Sequence, residues 1–238
     1  MSTALSSPTP DPEATVQVPL PDVTRFVRQL SHDLRNHLNA VELQSAYLGE
    51  IAPDAEMKEE VKRLRAMLSE MGASLQAVTQ ALADIRLTLM PYEASAFFED
   101  LRAKISSRFP DESSAVEWKL NLGNDELEID PQALEAAFVE LFANAFLHER
   151  GPGSLQATAE MESGNVLFTL TEPKSAFTGE IARWGRQPFV KMKHGHYGLG
   201  LLRARSIIEA HHGQLHAHYD SASSALVTKV VLSLGPSA

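Results

Sequence analysis

The chain has 238 residues, of which 44% are hydrophobic and 22% charged, a composition typical of a globular protein with one or two domains. Its net charge of -10 argues against nucleic acid or an anionic membrane as the main partner, and the absence of cysteine excludes disulfides, thiolate zinc sites and cysteine nucleophiles. The longest apolar runs are far shorter than the ~20 residues of a membrane span, and the N-terminus has no charged-then-apolar signal pattern. We therefore expect a cytoplasmic protein.

The first 90 residues contain two segments that differ in composition and apolar periodicity, residues 1–20 and residues 21–90. The first segment is rich in Pro, Ser and Thr without apolar periodicity, which predicts a disordered leader. The second predicts a helical hairpin in which one helix runs from about Asp22 to Ile51 and another begins near Asp54. We expect the second helix to end at Met90-Pro91, because the residue before a proline avoids the helical region.

The second predicted helix carries a heptad seam. Its apolar residues alternate in steps of four and three over more than four heptads: Met57, Val61, Leu64, Leu68, Met71, Leu75, Val78, Leu82, Ile85 and Leu89. A stripe of this length is better buried by a second copy of the hairpin than by one partner helix, which predicts a homodimeric four-helix bundle. Packing of the hairpin against its own C-terminal domain is the alternative.

The first helix carries a histidine and an asparagine opposite its apolar stripe. At roughly 100° per residue, His32 points about 140° away from Val27, and Asn36 about 180° away. Asp33 is the immediate neighbour of His32 and can fix its tautomer or take its proton. An exposed imidazole beside a carboxylate suits phosphoryl transfer, and the alternative is a polar helix face with a chance histidine.

Residues 91–238 mix short helices and strands, which predicts an α/β sandwich and an α+β protein overall. The predicted helices cover about Ser95 to Phe109, a segment opened by Asp130-Pro131 as N-cap and first helical residue, and about Leu199 to His211. The predicted strands are 115–122, 127–129, 153–161, 166–171, 214–219 and 226–234. The irregular stretch 172–197 is long enough to be functional or mobile.

Two motifs in this domain suit the binding of a phosphorylated ligand. Glu140 and Asn144, one turn apart on an otherwise apolar helix, would cost free energy if buried without partners, and a ligand or hydrated Mg²⁺ meets that need. Gly195, Gly198 and Gly200 lead into a helix, where backbone N–H groups and the helix dipole favour a phosphate. The alternatives are a helix edge facing water for the first motif and a simple turn for the second.

Three motifs in chain order resemble the H, N and second G boxes of two-component histidine kinases. They are His32-Asp33-Leu34-Arg35-Asn36, Glu140 to Asn144, and Gly198-Leu199-Gly200-Leu201. The resemblance covers about Pro21 to Gly235. It implies a dimeric four-helix hairpin bundle that carries the phosphoacceptor, followed by an ATP-binding domain of the GHKL type.

The resemblance also implies roles for the residues that match its motifs. His32 would be the phosphoacceptor, Asp33 its acid–base partner, and Asn36 the residue that orients water for dephosphorylating the partner. That partner would be the receiver domain of a response regulator, which accepts the phosphoryl group on an aspartate.

At the nucleotide, the resemblance implies that Asn144 ligates Mg²⁺ with Glu140 beside it. Gly195, Gly198 and Gly200 would line the ATP triphosphate under a lid formed by residues 174–197. Positive charge near the phosphates would come from four residues that are close in sequence, Lys191, Lys193, Arg203 and Arg205.

The first G box departs from the family pattern. The family has a strand-ending Asp-x-Gly-x-Gly whose Asp reads the adenine amino group, whereas the aligned segment here is Thr171-Glu172-Pro173-Lys174-Ser175-Ala176. Glu172 keeps the carboxylate, and both glycines are absent. Two hypotheses follow: an ATP-dependent kinase that autophosphorylates His32, and a histidine phosphotransfer protein or pseudokinase whose second domain does not bind ATP. A third hypothesis is zinc binding by the pairs His194/His196, His211/His212 and His216/His218.

Overall fold

A computed structural model provides the coordinates, and it describes residues 20–81, 83–147, 150–177, 181, 184–186 and 198–234. The chain divides into two compact units, the first ending at Thr79 and the second beginning at Gln80. The predicted leader lies outside the described residues except for Leu20, where the first helix begins. None of the helices in the described part of the chain is long and apolar enough to span a membrane.

The first unit contains two long helices, α1 (Leu20–Ile51) and α2 (Ala55–Ala81). The Asp54 carboxylate begins α2 as its N-cap, because Asp54 Oδ1 accepts a hydrogen bond of 2.8 Å from the backbone N–H of Met57. Ser31 and Ser45 on α1 and Val61 on α2 are buried. The predicted helical hairpin is therefore present.

The end of α2 differs from the prediction. We expected the helix to continue to Met90, but it ends at Ala81 and residues 84–89 have no regular structure. The reason is that this segment packs in the second unit: Ile85 lies against its hydrophobic core, and Thr88 N–H donates to Asp130 Oδ2 at 2.9 Å. The heptad spacing of Ile85 and Leu89 is thus coincidental, and Leu82 lies outside the described residues.

Many large apolar side chains of the hairpin remain exposed within the single chain. On α1 they include Val23, Leu30, Leu34, Val41 and Leu48, and on α2 they include Met57, Leu64 and Met71. The three α2 residues follow each other at intervals of seven, the spacing of a packed helical seam. One copy of the hairpin therefore leaves much of its apolar stripe without a covering surface.

The second unit contains two sheets. The strands β1 (Met90–Glu93) and β3 (Glu126–Ile129) form a two-stranded antiparallel sheet, a pairing that the sequence did not predict. The larger sheet has five strands in the order β2-β4-β5-β7-β6, and only β2 and β4 are parallel. Its strands are β2 (Val116–Asn121), β4 (Leu155–Glu162), β5 (Asn165–Pro173), β6 (Gln214–Asp220) and β7 (Ala225–Ser233).

Helices cover one face of the larger sheet. They are α3 (Ala94–Arg108), the short α4 (Pro110–Ser113), α5 (Pro131–Leu147) and α6 (Gly200–Ala210). Aromatic rings fill the core between these layers. The ring centroid of Phe138 on α5 lies 4.9 Å from that of Phe168 on β5, and Phe98 on α3 stacks on the Phe168 ring with a centroid distance of 5.5 Å. The predicted α/β sandwich is present, and β5 continues two residues beyond the predicted end at Thr171.

Asp130 joins three segments of this unit. Its Oδ1 accepts the N–H of Ala133 at 3.0 Å as the N-cap of α5, and its Oδ2 accepts the N–H of Thr88. Its own N–H donates to Nε2 of the buried His211 at 3.0 Å. The hydrogen bonds from Thr88 and Ala133 hold the pKa of Asp130 below its usual value.

Replacing Asp130 tests this junction. We expect Asp130→Ala to lower the free energy of unfolding by about 1 to 3 kcal/mol, because two backbone donors lose their acceptor, and Asp130→Asn to cost less because it keeps one acceptor oxygen. Because the folded pKa is depressed, this contribution is present above the usual pKa of 3.8 and is lost as pH falls through the folded value. Urea unfolding near neutral pH and at about pH 3 should therefore show a difference between wild type and Asp130→Asn that narrows in acid. Equal stability of wild type and Asp130→Ala at neutral pH would contradict the assignment.

Candidate functional site

The first candidate site lies on α1, around an exposed histidine. The His32 side chain is 67% exposed, and its Nδ1 lies 3.3 Å from Asp33 Oδ1 and 3.4 Å from Asn36 Nδ2. Asp33 is itself held in place, because Gln29 Nε2 donates to the same Oδ1 at 2.9 Å. The structure therefore brings His32, Asp33 and Asn36 together on the solvent-facing side of the helix, as their spacing predicted.

The contacts at Nδ1 select one tautomer of His32. A carboxylate only accepts hydrogen bonds, so Asp33 favours a proton on Nδ1, whereas the Asn36 amide nitrogen can only donate. The charged acceptor makes the stronger partner, so Nδ1–H donates to Asp33 and Nε2 keeps its lone pair. No side chain in the described part of the chain forms a hydrogen bond with Nε2. In this tautomer the nitrogen that can act as a nucleophile faces solvent.

The second candidate site lies where α5 meets the beginning of α6. Glu140 on α5 approaches Gly200 so closely that a Cβ on Gly200 would overlap its carboxylate oxygen Oε2. A glycine is therefore required if this carboxylate is to lie against the N-terminus of α6, where the helix dipole favours negative charge. Gly198, two residues before the helix, adopts a φ of 66°, a conformation that suits glycine.

The other predicted residues of this site are partly accounted for. Asn144 is half-buried one turn after Glu140 on α5, so the two share a helix face. Gly195 lies outside the described residues, as do Lys191, Lys193 and most of the predicted lid. Glu140 and Asn144 supply the oxygen atoms that Mg²⁺ prefers.

Glu172 is buried and already has a partner. It continues the inward-facing row of Val166, Phe168 and Leu170 on β5, and it is only 3% exposed. Lys174, which is 5% exposed, lies two residues later and donates from Nζ to Glu172 Oε1. Burial raises the pKa of Glu172, an effect that the ion pair with Lys174 opposes.

The two predicted cationic residues that the structure describes both donate to backbone carbonyls. Arg205 is buried and donates to the backbone carbonyls of Gly185 at 3.0 Å and Leu215 at 2.8 Å. Burial lowers the pKa of this guanidinium. Arg203 donates from Nη1 to the carbonyl of Ala83. The prediction for Arg205 is therefore wrong: it pins the chain around Gly185 to the sheet, which explains why a cation follows the glycines.

The predicted zinc pairs do not form a site in the described residues. His211 is buried with both ring nitrogens used by backbone groups, Nδ1 with the Ile207 carbonyl at 2.8 Å and Nε2 with the Asp130 N–H. His216 and His218 are exposed on β6, and no group of three or more metal-ligating side chains is found within the ranges described. His194 and His196 lie outside those ranges.

The sequence does not predict the roles of Lys174 and Arg205. Lys174 is the first residue of the predicted lid, although its spacing of two from Glu172 in an extended segment indicates a shared face. Arg205 carried no signal of burial, since its hydrogen bonds go to carbonyls that are distant in sequence.

Comparisons with known sequences point to one group of proteins. No family model matches the chain. The chain is 22% identical over 211 residues to an uncharacterised sensor-like histidine kinase of Rhizobium meliloti, covering 81% of this chain and 39% of that protein. It is 23% identical over 196 residues to the sensor histidine kinase ZraS of Escherichia coli K12, covering 78% and 40%. The chain thus spans about two fifths of the length of the curated relatives it matches.

Solved structures share its fold. Full-length ShkA in complex with AMPPNP matches with a TM-score of 0.67 at 20% identity, covering 90% of this chain and 47% of that one. The histidine kinase AdeS of Acinetobacter baumannii matches with a TM-score of 0.53 at 19% identity, covering 86% and 98%. The catalytic domain of the histidine kinase ThkA matches with a TM-score of 0.51 at 15% identity, covering 62% of this chain and 96% of that one. The predicted α+β fold with a GHKL-type second domain is confirmed, whereas the dimer stays a prediction.

The contact between Glu140 and Gly200 can be tested by comparing an alanine substitution at Gly200 with one at Gly213. We expect Gly200→Ala to change the free energy of unfolding by less than about 1 kcal/mol, because the flexible Glu140 carboxylate can move away. Gly213→Ala should cost about 1 to 3 kcal/mol, since its Cβ would lie 2.8 Å from the Val231 carbonyl oxygen and 3.0 Å from that of Ile208, which are backbone atoms. Urea unfolding measures both. An equal or larger loss of stability in Gly200→Ala would contradict this expectation, because it would show that the Glu140 side chain cannot move away.

Proposed function

We propose that this chain, whose relatives are sensor histidine kinases and whose fold is theirs, is a two-component signalling protein that carries a phosphoryl group on His32. The observation that supports this most directly is the exposed imidazole whose Nδ1 is held by Asp33 while Nε2 remains open. His32 Nε2 forms the bond to phosphorus while the P–O bond to the donor breaks and ADP or the receiver aspartate leaves, and Asp33 stabilises the positive charge that develops on the ring. Asn36, one turn away, orients the water that removes the phosphoryl group from the partner.

The donor in the first candidate function is ATP, bound by the second unit. The phosphate end of that unit suits ATP with Mg²⁺: Glu140 and Asn144 offer oxygen ligands, and the positive φ of Gly198 turns the chain into the N-terminus of α6, where backbone N–H groups favour a phosphate. When bound, ATP would supply the γ-phosphoryl group. ShkA, which shares this fold, was solved with AMPPNP. The base end fits less well, because the Glu172 carboxylate is engaged by Lys174.

That engagement favours a second candidate function. In this alternative the chain is a histidine phosphotransfer protein or pseudokinase, and His32 receives its phosphoryl group from a phosphorylated receiver domain. Both candidates assign the same role to His32 and the same partner, the receiver domain of a response regulator. A cytoplasmic location is part of the proposal in either case.

Phosphoryl labelling tests the role of His32 and identifies the donor. The purified chain is incubated with γ-labelled ATP and Mg²⁺, and separately with a phosphorylated receiver domain. We expect label on wild type that is lost in His32→Ala and reduced by about 10² to 10⁴ in rate in Asp33→Asn, because the ring loses its charged acceptor.

His37 provides the matched control, since it is an exposed histidine on the same helix. His37→Ala should keep the label. Label from ATP supports the kinase, whereas label from the receiver domain alone supports the phosphotransfer protein. Label that persists in His32→Ala from either donor would overturn the proposal.

The exposed apolar stripe of the hairpin supports a homodimer. Leu34 is 43% exposed and shares its face with Leu30 and Val41, whereas Leu43, 75% exposed, lies nine residues later and so points about 180° away. A charge on the first face should break a four-helix bundle, but a charge on the second should not.

We therefore expect Leu34→Asp to convert the dimer to monomer and Leu43→Asp to leave it intact. Sedimentation velocity measures the mass of each variant, and circular dichroism verifies that the helices persist. A wild type that sediments as a monomer would contradict the dimer.

A further inference from the structure

The Glu172–Lys174 ion pair is built into the end of β5 by several fixed backbone contacts. Lys174 N–H donates to the Ser224 carbonyl at 2.8 Å, and its own carbonyl accepts the Tyr219 hydroxyl at 3.1 Å. Gly151 N–H donates to the Pro173 carbonyl at 2.7 Å. The backbone between the two charged residues is therefore tied to neighbouring segments on both sides, and the position of Lys174 is set by the fold.

Both charged groups are removed from water. Fewer than a tenth of either side chain is exposed, and Nζ of Lys174 contacts Oε1 of Glu172 directly. A buried carboxylate needs a donor, because an unpaired buried charge is strongly destabilising. Lys174 meets that need at Oε1 without a ligand, and because the pair is buried, another donor reaches the carboxylate only when the ion pair opens.

The exocyclic amino group of adenine is a donor of the kind that a carboxylate at this position would accept. It is neutral, whereas the Lys174 ammonium is charged and adds a charge–charge attraction to its hydrogen bond, which is strong in a buried, low-dielectric position. The Glu172 carboxylate therefore interacts more strongly with Lys174 than with the adenine amino group. Residues 173–176 contain no glycine, which disfavours a change of backbone conformation that would carry Lys174 away from Glu172.

Resting on the nucleotide site of the proposed function, we propose that Lys174 is a specificity-determining residue that competes with the nucleobase for the Glu172 carboxylate. The nucleotide then binds at the base end only when the ion pair opens, and in the closed state the site holds ligands by the phosphate end. Opening of the ion pair increases the affinity for a guanine nucleotide less than that for an adenine nucleotide, because guanine presents a carbonyl acceptor where adenine presents the amino donor.

Removal of the ammonium tests the competition directly. Isothermal titration measures the affinity of the full chain for Mg·ADP and Mg·GDP in wild type, Lys174→Met and the control Lys119→Ala, an exposed lysine on β2. We expect Lys174→Met to bind ADP about tenfold or more tightly than wild type, with a smaller gain for GDP, and Lys119→Ala to match wild type. Adding Glu172→Gln to Lys174→Met should remove the gain for ADP.

A second measurement needs no substitution, in case Lys174→Met does not fold. Acetic anhydride modifies accessible lysines, and mass spectrometry of the peptides gives the rate at Lys174 relative to Lys119. Saturating Mg·ADP should accelerate modification of Lys174, because the displaced ammonium enters solvent. Slower or unchanged modification at saturation overturns the inference.

The inference also fails if Lys174→Met folds and gains no affinity for ADP, since competition then does not limit binding. That result leaves the role of His32 intact, because labelling from a phosphorylated receiver domain does not depend on nucleotide. If wild type takes up no label from either ATP or the phosphorylated receiver domain, the proposed function fails. The titration would still show whether Lys174 limits the affinity for ADP.

Discussion

The packing of α5 and α6 over one face of the five-stranded sheet determines where each chemically distinctive side chain of the second unit lies. Phe138 and Phe142 fix α5 on the sheet through Phe168 and Trp118. Helix periodicity then sets Glu140 and Asn144 together on a different side of α5 from these rings. Because α6 packs beside α5, its first residue must be small enough for Glu140 to approach, and Gly200 meets that condition.

The same sheet explains why a carboxylate is buried at Glu172. Side chains alternate between the two faces of a strand, so the residue two positions after Leu170 must point inward. An inward carboxylate costs free energy unless it is paired. A ligand or an internal cation satisfies this constraint equally well, and in this chain Lys174 supplies the cation from the next inward position. The Lys174 ammonium therefore uses a carboxylate acceptor that a ligand would otherwise satisfy.

Local patterns in the sequence predicted most of the elements that depend on near neighbours. Asp130-Pro131 marked the start of α5, and the alternation of Val166, Phe168 and Leu170 marked β5. The prediction was wrong where distant residues decide the structure. Helical periodicity continued through Ile85, but the core of the second unit and the Asp130 carboxylate hold that segment in a non-helical conformation. Similarly, the burial of Arg205 depends on the carbonyls of Gly185 and Leu215, which no local pattern reveals.

A phosphoacceptor histidine needs one nitrogen oriented and the other free, and the described histidines differ in this respect. His211 Nε2 accepts the N–H of Asp130 at the start of α5, and Nδ1 donates to the Ile207 carbonyl within α6, so attack at Nε2 would break the hydrogen bond that joins α5 to α6. His32 uses only Nδ1, and its partner Asp33 adds negative charge where the ring becomes positive. A buried histidine with both nitrogens used stabilises the fold, whereas an exposed one with a carboxylate on a single nitrogen is suited to chemistry. This difference in hydrogen bonding, more than the histidine's place in a motif, is the physical reason for proposing His32 as the residue that carries the phosphoryl group.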